Sequence, residues 1–237
     1  MIELSPDADA AVSDIKDGST LLIGGFGEAG LPFALVEALL RCTAGDLTVV
    51  SNNAGNGDTG LAALLGAGRV RKIICSYPRQ IDSWVFDGLY RAGKIELELV
   101  PQGTLAERIR AGGAGIGAFY TPTGAGTPLS AGKEVRNING RDYLLEYPIH
   151  ADVALIRAHI ADGAGNLVYR KTGRNFGPVM ATAATTTIVE VERVVPVGSL
   201  DPETVVTPGI FVNRVVVAQP RRLGGAAGAA GAAGASA

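Results

Sequence analysis

Alternation of apolar runs with helical patterns predicts an α/β fold, a mainly parallel sheet with helices on both faces. Three observations carry that reading. Short Leu-, Ile- and Val-rich runs recur along the chain, each the length of a buried strand. Most are followed by a segment of helical spacing, and glycine, proline or asparagine punctuates the joins. Hydrophobic residues make up 47% and charged residues 19% of 237 residues, enough for one sizeable core.

Thr20–Ile23 (TLLI) reads as the first buried strand, and residues 32–40 (PFALVEALL) as a helix with proline in its first turn. Leu47–Val50 is a second strand, 60–65 a short helix and 72–75 (KIIC) a third strand. Residues 80–92 suit an amphipathic helix, and 95–100 (IELELV) alternates as a half-exposed strand does. A helix is expected over 104–109, where Thr104 and Glu107 have capping-box spacing. Residues 111–142, rich in Gly, Pro, Thr and charge, read as a long loop or a small antiparallel insertion. Later strands are expected at 153–156, 187–191 and 210–217. Residues 1–223 form the domain; 224–237 contain only Gly, Ala and Ser, and disorder is expected there.

Composition excludes several classes. A net charge of −2 argues for neither nucleic acid nor an anionic membrane as partner. Two cysteines, Cys42 and Cys75, and two histidines, His150 and His159, suit no zinc spacing and no disulfide framework, so no metal site is expected. The acidic N-terminus lacks the basic start of a signal peptide, and no apolar run spans a bilayer, so the cytoplasm is the expected location.

The strongest local feature is the strand-to-helix segment Gly24, Gly25, Phe26, Gly27, Glu28, Ala29, Gly30. Glycines let backbone N–H groups approach a phosphate or an oxyanion, and a tight turn without ligand is the plainer alternative. Its G-x-G-x-x-G spacing also fits a dinucleotide site, but the second strand ends in Ser51, Asn52 and Asn53, without the acid that holds a ribose; an NAD-dependent oxidoreductase is therefore a distant alternative. Asn52 and Asn53 offer uncharged donors at a strand's carboxyl end, or simply cap it in an Asx turn. Gln102 stands at another strand-to-helix junction and either enters the same crevice or lies exposed at a helix start. Arg170, Lys171 and Arg174 in a glycine-bearing loop suit phosphates or carboxylates, though such charges are commonly only solvated. Glu28, a carboxylate in a turn, lacks the enclosed setting of a nucleophile, and Cys75 reads as core.

These segments together resemble the A (α) subunit of family I CoA-transferases. The resemblance rests on residues 17–32 (DGSTLLIGGFGEAGLP), 51–55 (SNNAG), 101–115 (PQGTLAERIRAGGAG), 119–124 (FYTPTG), 165–171 (GNLVYRK), 174–178 (RNFGP) and 206–212 (VTPGIFV), collinear from about residue 10 to 217. Residues 53–58 (NAGNGD), 75–80 (CSYPRQ) and 85–94 (VFDGLYRAGK) resemble the 3-oxoadipate branch, with acetoacetate-type transfer as the near alternative. Ala125, the segment 161–164 and Gly173 depart from the family pattern. The resemblance implies transfer of CoA from succinyl-CoA to a 3-oxoacid through a glutamyl-CoA thioester on a B (β) subunit, in an αβ or α2β2 assembly. The nucleophile is then absent from this chain, and CoA enters as a thioester substrate rather than a resident cofactor. It further implies that residues 24–30 form the CoA-binding or oxyanion-side loop, and that Asn52, Asn53 and Gln102 lie near the reacting carboxylates.

Overall fold

A computed structural model describes residues 2–218; the tail read as disordered, 224–237, lies outside the described residues. The chain opens with β1 (Glu3–Leu4) and α1 (Ala8–Val12), whose N-cap Asp7 accepts the Ala10 N–H at 2.8 Å. Strand and helix then alternate: β2 (Thr20–Ile23), α2 (Phe33–Arg41), β3 (Leu47–Val50), α3 (Gly60–Gly66), β4 (Val70–Cys75), α4 (Trp84–Arg91), β5 (Glu96–Leu99) and α5 (Gln102–Ala114). A small antiparallel sheet follows, from β6 (Phe119–Thr121), β7 (Val135–Ile138) and β8 (Arg141–Glu146). The remainder is β9 (Ala151–Arg157), β10 (Ile160–Asp162), β11 (Leu167–Val168), α6 (Gly177–Thr182), β12 (Ala184–Val191), β13 (Arg193–Val195) and β14 (Arg214–Val217).

Eight strands form one parallel sheet in the order β1-β14-β12-β9-β2-β3-β4-β5. The central strands β2, β3 and β9 are mostly apolar because both their faces are covered, while the edge strand β5 alternates Glu with Leu. Side chains alternate between two cores: Leu21, Val49, Ile73 and Leu155 pack under α1–α4, while Leu22, Val50, Ile74 and Ile156 pack under α5 and α6. Each fully buried Leu, Ile or Val contributes about 1.5–3 kcal/mol. From β2 the chain builds outward to β5 in sequence order, and its second half returns to add β9, β12 and β14 on the other side. The carboxyl end of β2 therefore lies beside the point where strand order reverses, the place where open α/β sheets form a ligand crevice.

The parallel sheet, the helices on both faces and the antiparallel insertion agree with the expected fold class, with four departures in detail. Helix α5 begins at Gln102 and runs through Gly112 and Gly113, where irregular chain was expected. Packing overrides the poor helix propensity of glycine: a Cβ at Gly113 would strike Thr182 of α6, and one at Gly112 the carbonyl of Ile149. Thr104 consequently lies inside the helix, buried, rather than capping it. Helix α4 begins at Trp84 rather than 80, because the preceding turn is spent on loop contacts: the Gln80 N–H donates to Ser83 Oγ at 2.6 Å and the Asp82 N–H to Asn56 Oδ1 at 2.9 Å. The last strand spans only Arg214–Val217, because Pro208 leads into a 3-10 turn at Gly209–Phe211, tied by the Gly209 N–H to Asn166 Oδ1 at 2.9 Å.

Buried Glu146 ties the insertion to the sheet. It pairs with Lys133 inside the insertion and lies 3.9 Å from Arg108 of α5, which bonds Glu98 of β5 at 2.7 Å.

Candidate active site

The glycine segment after β2 is a tight turn. Phe26 and Ala29 exchange backbone hydrogen bonds of 2.9 and 3.2 Å across Gly27 and Glu28. Gly24 is buried against β9, its N–H donating to the Leu155 carbonyl at 3.0 Å. Asn175 fastens the turn from 146 residues away: Nδ2 donates to the Ala29 carbonyl at 2.9 Å, and Oδ1 accepts from the Gly25 N–H at 3.2 Å. Gly30 adopts φ +74°, and a Cβ there would sit 2.7 Å from Asn175 Nδ2 and strike the Gly173 carbonyl.

Asn52 and Asn53 follow the carboxyl end of β3, 5% and 4% exposed. Ser76, at the end of β4, donates its hydroxyl to Asn52 Oδ1 at 2.8 Å. That fixes the amide with its oxygen engaged, and Nδ2 makes no hydrogen bond among the described residues. Asn53 Oδ1 accepts the Gly55 N–H at 2.9 Å, which is the Asx-turn geometry weighed for it. Gln102, exposed at the first position of α5, makes no side-chain hydrogen bond among the described residues.

These groups partly converge. An open pocket of about 670 Å³ is lined by Phe26, Gly27, Asn52, Asn56, Ser76, Tyr77, Gln80, Ile81 and Gln102. Asn53 and Glu28 face a much smaller crevice beside it, shared with Gly27, Asn56 and Gln80. Gly24 and Gly25 are buried behind the turn, and Ala29 and Gly30 border a separate hollow on its far side. Asn52, Gln102 and the front of the turn thus meet, whereas Asn53, Glu28 and the rear of the turn do not line the same pocket.

Sequence reasoning missed Ser76, Tyr77 and Gln80. They follow β4 as Asn52 follows β3, so their place at a strand's carboxyl end was the available signal. Exposed Phe26, Tyr77 and Ile81 make part of the rim apolar.

The pocket holds amides, hydroxyls and backbone but no carboxylate, thiol or amine. Cys75 cannot serve: burial pushes its thiol up to about 12, so it remains protonated at neutral pH. Among the described residues no group of three or more His, Cys, Asp or Glu is placed to hold a metal. Neutral donors bind a carboxylate or thioester oxygen without trapping it in an ion pair, and stabilise negative charge as it develops on a carbonyl.

The Coenzyme A transferase family profile matches residues 6–218. The chain belongs to that family. It is 65% identical over 207 residues to the A (α) chain of the 3-oxoadipate CoA-transferase of Pseudomonas putida, covering 87% of this chain and 90% of that one. It is 49% identical to human mitochondrial succinyl-CoA:3-ketoacid coenzyme A transferase 2, covering 88% of this transferase chain but only 43% of the human one. Among solved structures it resembles an E. coli O157:H7 acyl-CoA transferase in thioester complex with CoA, with a TM-score of 0.85 at 25% identity, covering 95% of this chain and 52% of that one. Family membership removes the dinucleotide alternative that the glycine spacing had raised. Among the described residues no helix is long and apolar enough to cross a membrane.

Proposed function

We propose that this chain is the α component of a cytoplasmic CoA-transferase that moves CoA from succinyl-CoA to 3-oxoadipate, working in an αβ or α2β2 assembly with a β partner. The observation that carries the reading is a pocket furnished with Asn52, Ser76, Gln80 and Gln102 yet lacking a nucleophile. The identity to the α chain of a 3-oxoadipate CoA-transferase supports it, as does a human relative in which this chain matches less than half the length. That human relative's 3-ketoacid name is also the reason acetoacetate-type transfer stands as the second reading.

The chemistry is acyl exchange on a carboxylate of the partner. That carboxylate attacks the thioester carbonyl and CoA leaves as thiolate, giving a mixed anhydride. The thiolate then attacks the partner's own acyl carbon, releasing succinate and leaving CoA on the enzyme as a thioester. The acceptor carboxylate repeats the steps in reverse, so CoA is a substrate rather than a cofactor. This chain supplies neutral donors: the Asn52 amide toward the developing oxyanion, Gln102 toward the substrate carboxylate, and the turn at Phe26 and Gly27 as a backbone wall for CoA. Water must be excluded, since hydrolysis of the anhydride or thioester dissipates the energy that exchange conserves.

Mixing this chain with its β partner should give succinate-dependent CoA exchange, followed as 3-oxoadipyl-CoA formation, with neither chain active alone. Exchange by this chain alone, or a CoA adduct trapped on one of its own side chains, would overturn the reading. The ratio of kcat/KM for 3-oxoadipate to that for acetoacetate decides between the two acceptors.

A further inference from the structure

Behind the glycine turn lies a second hollow of about 250 Å³, bordered by Ala29 and Gly30 on one side and by the turn at residues 170–173 on the other. Its walls carry three fixed cations, Arg157, Arg170 and Lys171, against one carboxylate, Glu192, with His159 beside them. Arg157 meets its carboxylates loosely, at 3.8 Å to Glu190 and 3.6 Å to Glu192. Glu190 is occupied elsewhere, its Oε2 accepting the Ala34 N–H at 2.8 Å. His159 Nδ1 lies 3.1 Å from Glu192 but is poorly aligned for a hydrogen bond. Arg170 and Lys171 are exposed and form no ion pair among the described residues.

The hollow is built rather than incidental. Asn175 Nδ2 donates at 2.9 Å both to the Ala29 carbonyl on one wall and to the Thr172 carbonyl on the other, holding the two loops together. Surplus positive charge, donors of planar and point geometry, and a volume that admits a tetrahedral anion together describe a phosphate site.

We propose that this hollow binds a phosphate group, and that during thioester exchange it holds a phosphate of CoA while the acyl end reaches the pocket on the opposite side of the turn. This rests on the transferase reading above. The same turn borders both spaces: Phe26 and Gly27 face the acyl pocket, Ala29 and Gly30 the basic hollow. A ligand with an acyl thioester at one end and phosphates at the other matches that division.

The test uses the reconstituted complex carrying Arg170→Gln and Lys171→Gln, singly and together, with thermal melts to confirm folding. Succinyl-CoA is compared with succinyl-pantetheine, which has the same thioester and no phosphate. Each substitution should raise KM for succinyl-CoA about tenfold, the scale of one charged hydrogen bond, with kcat and the succinyl-pantetheine KM unchanged. Inorganic phosphate should inhibit the unsubstituted complex competitively with succinyl-CoA and lose that effect in the double variant. Phosphate binding that the double variant abolishes, with the succinyl-CoA KM unmoved, would assign the hollow to free phosphate and overturn its role for CoA. Equal KM shifts for both thioesters, or no shift for either and unchanged phosphate inhibition, would overturn the proposal outright. If no thioester is exchanged at all, the transferase reading fails instead, and direct titration of the complex with phosphate still decides the phosphate site.

Discussion

The two sides of the glycine turn are furnished in opposite ways. Strands β3 and β4, with the start of α5, end in Asn52, Ser76 and Gln102, all polar and none charged. Strands β9 and β12 run into Arg157, His159, Glu190 and Glu192, an ionic cluster. Both sets crown one parallel sheet, and β2 separates them. The difference teaches what each side can hold. Neutral amides release a carboxylate as readily as they bind it, which suits groups that must exchange within a turnover. A surplus of fixed charge suits a permanent anion that stays put while chemistry proceeds elsewhere.

The largest expected effects come from breaking the neutrality of the first side. In the complex with its partner, Asn52→Ala should lower kcat by about 10²–10³-fold, the cost of losing one donor aimed at an oxyanion. Gln102→Glu keeps the shape but places a charge where we propose that the acceptor carboxylate binds; KM for the acceptor acid should rise steeply while the melting temperature stays near that of the parent. If both variants turn over normally, the pocket is not the reacting site.

Next comes the seam between the sides. Gly30→Ala places a Cβ against Asn175 and the Gly173 carbonyl at a positive φ, and should cost about 3 kcal/mol in thermal or urea unfolding. An unchanged Tm would mean that the two loops separate freely, and the contrast between fixed halves would lose its basis.

The smallest effect concerns two carboxylates with shifts of opposite sign. Burial pulls Glu98 upward, but hydrogen bonds from Arg108 and Lys72 outweigh it and hold it below the usual value. Burial pushes Glu190 upward, against Arg157 and the Ala34 and Leu35 N–H groups. The Glu98 contribution is therefore present above the ordinary carboxylate pKa and lost as pH falls through its depressed folded value. Glu190 has the reverse sign: stability declines as pH rises from the ordinary value through its raised folded one. Tm measured against pH should accordingly show a flatter acid limb for Glu98→Gln. Glu190→Gln should gain on the parent by a few degrees only above the ordinary carboxylate range. Parallel curves for the two variants would remove the distinction.

The first side was the more legible. Thr20–Ile23 and Leu47–Val50 stand at their expected bounds because strands buried on both faces are short, mostly apolar runs flanked by turn residues. Asn52 and Gln102 were found because junctions after strands are few and carry conspicuous amides. Ser76 and Gln80 were not, although they follow β4 at the same end of the sheet, because serine and glutamine in the run SYPRQ are ordinary loop residues. The second hollow depends on Gly30 and Gly173, far apart in sequence, and on an asparagine that holds both loops; only the fold reveals that meeting. The course of α5 past residue 111 was hidden because its glycines are chosen for a distant neighbour and against local preference.

That last feature bears on how the protein is made. Gly112 and Gly113 weaken α5 on its own, and what they gain, close approach to Thr182 and Ile149, requires residues translated well afterwards. A nascent chain that has emerged only through α5 already holds the packing of Leu105 and Ile109 on Leu22, Val50 and Ile74, but it lacks the Ile149 and Thr182 contacts at the far end of that helix. The far end of α5 is thus completed only once α6 leaves the ribosome, well after the glycine turn and both asparagines have been made.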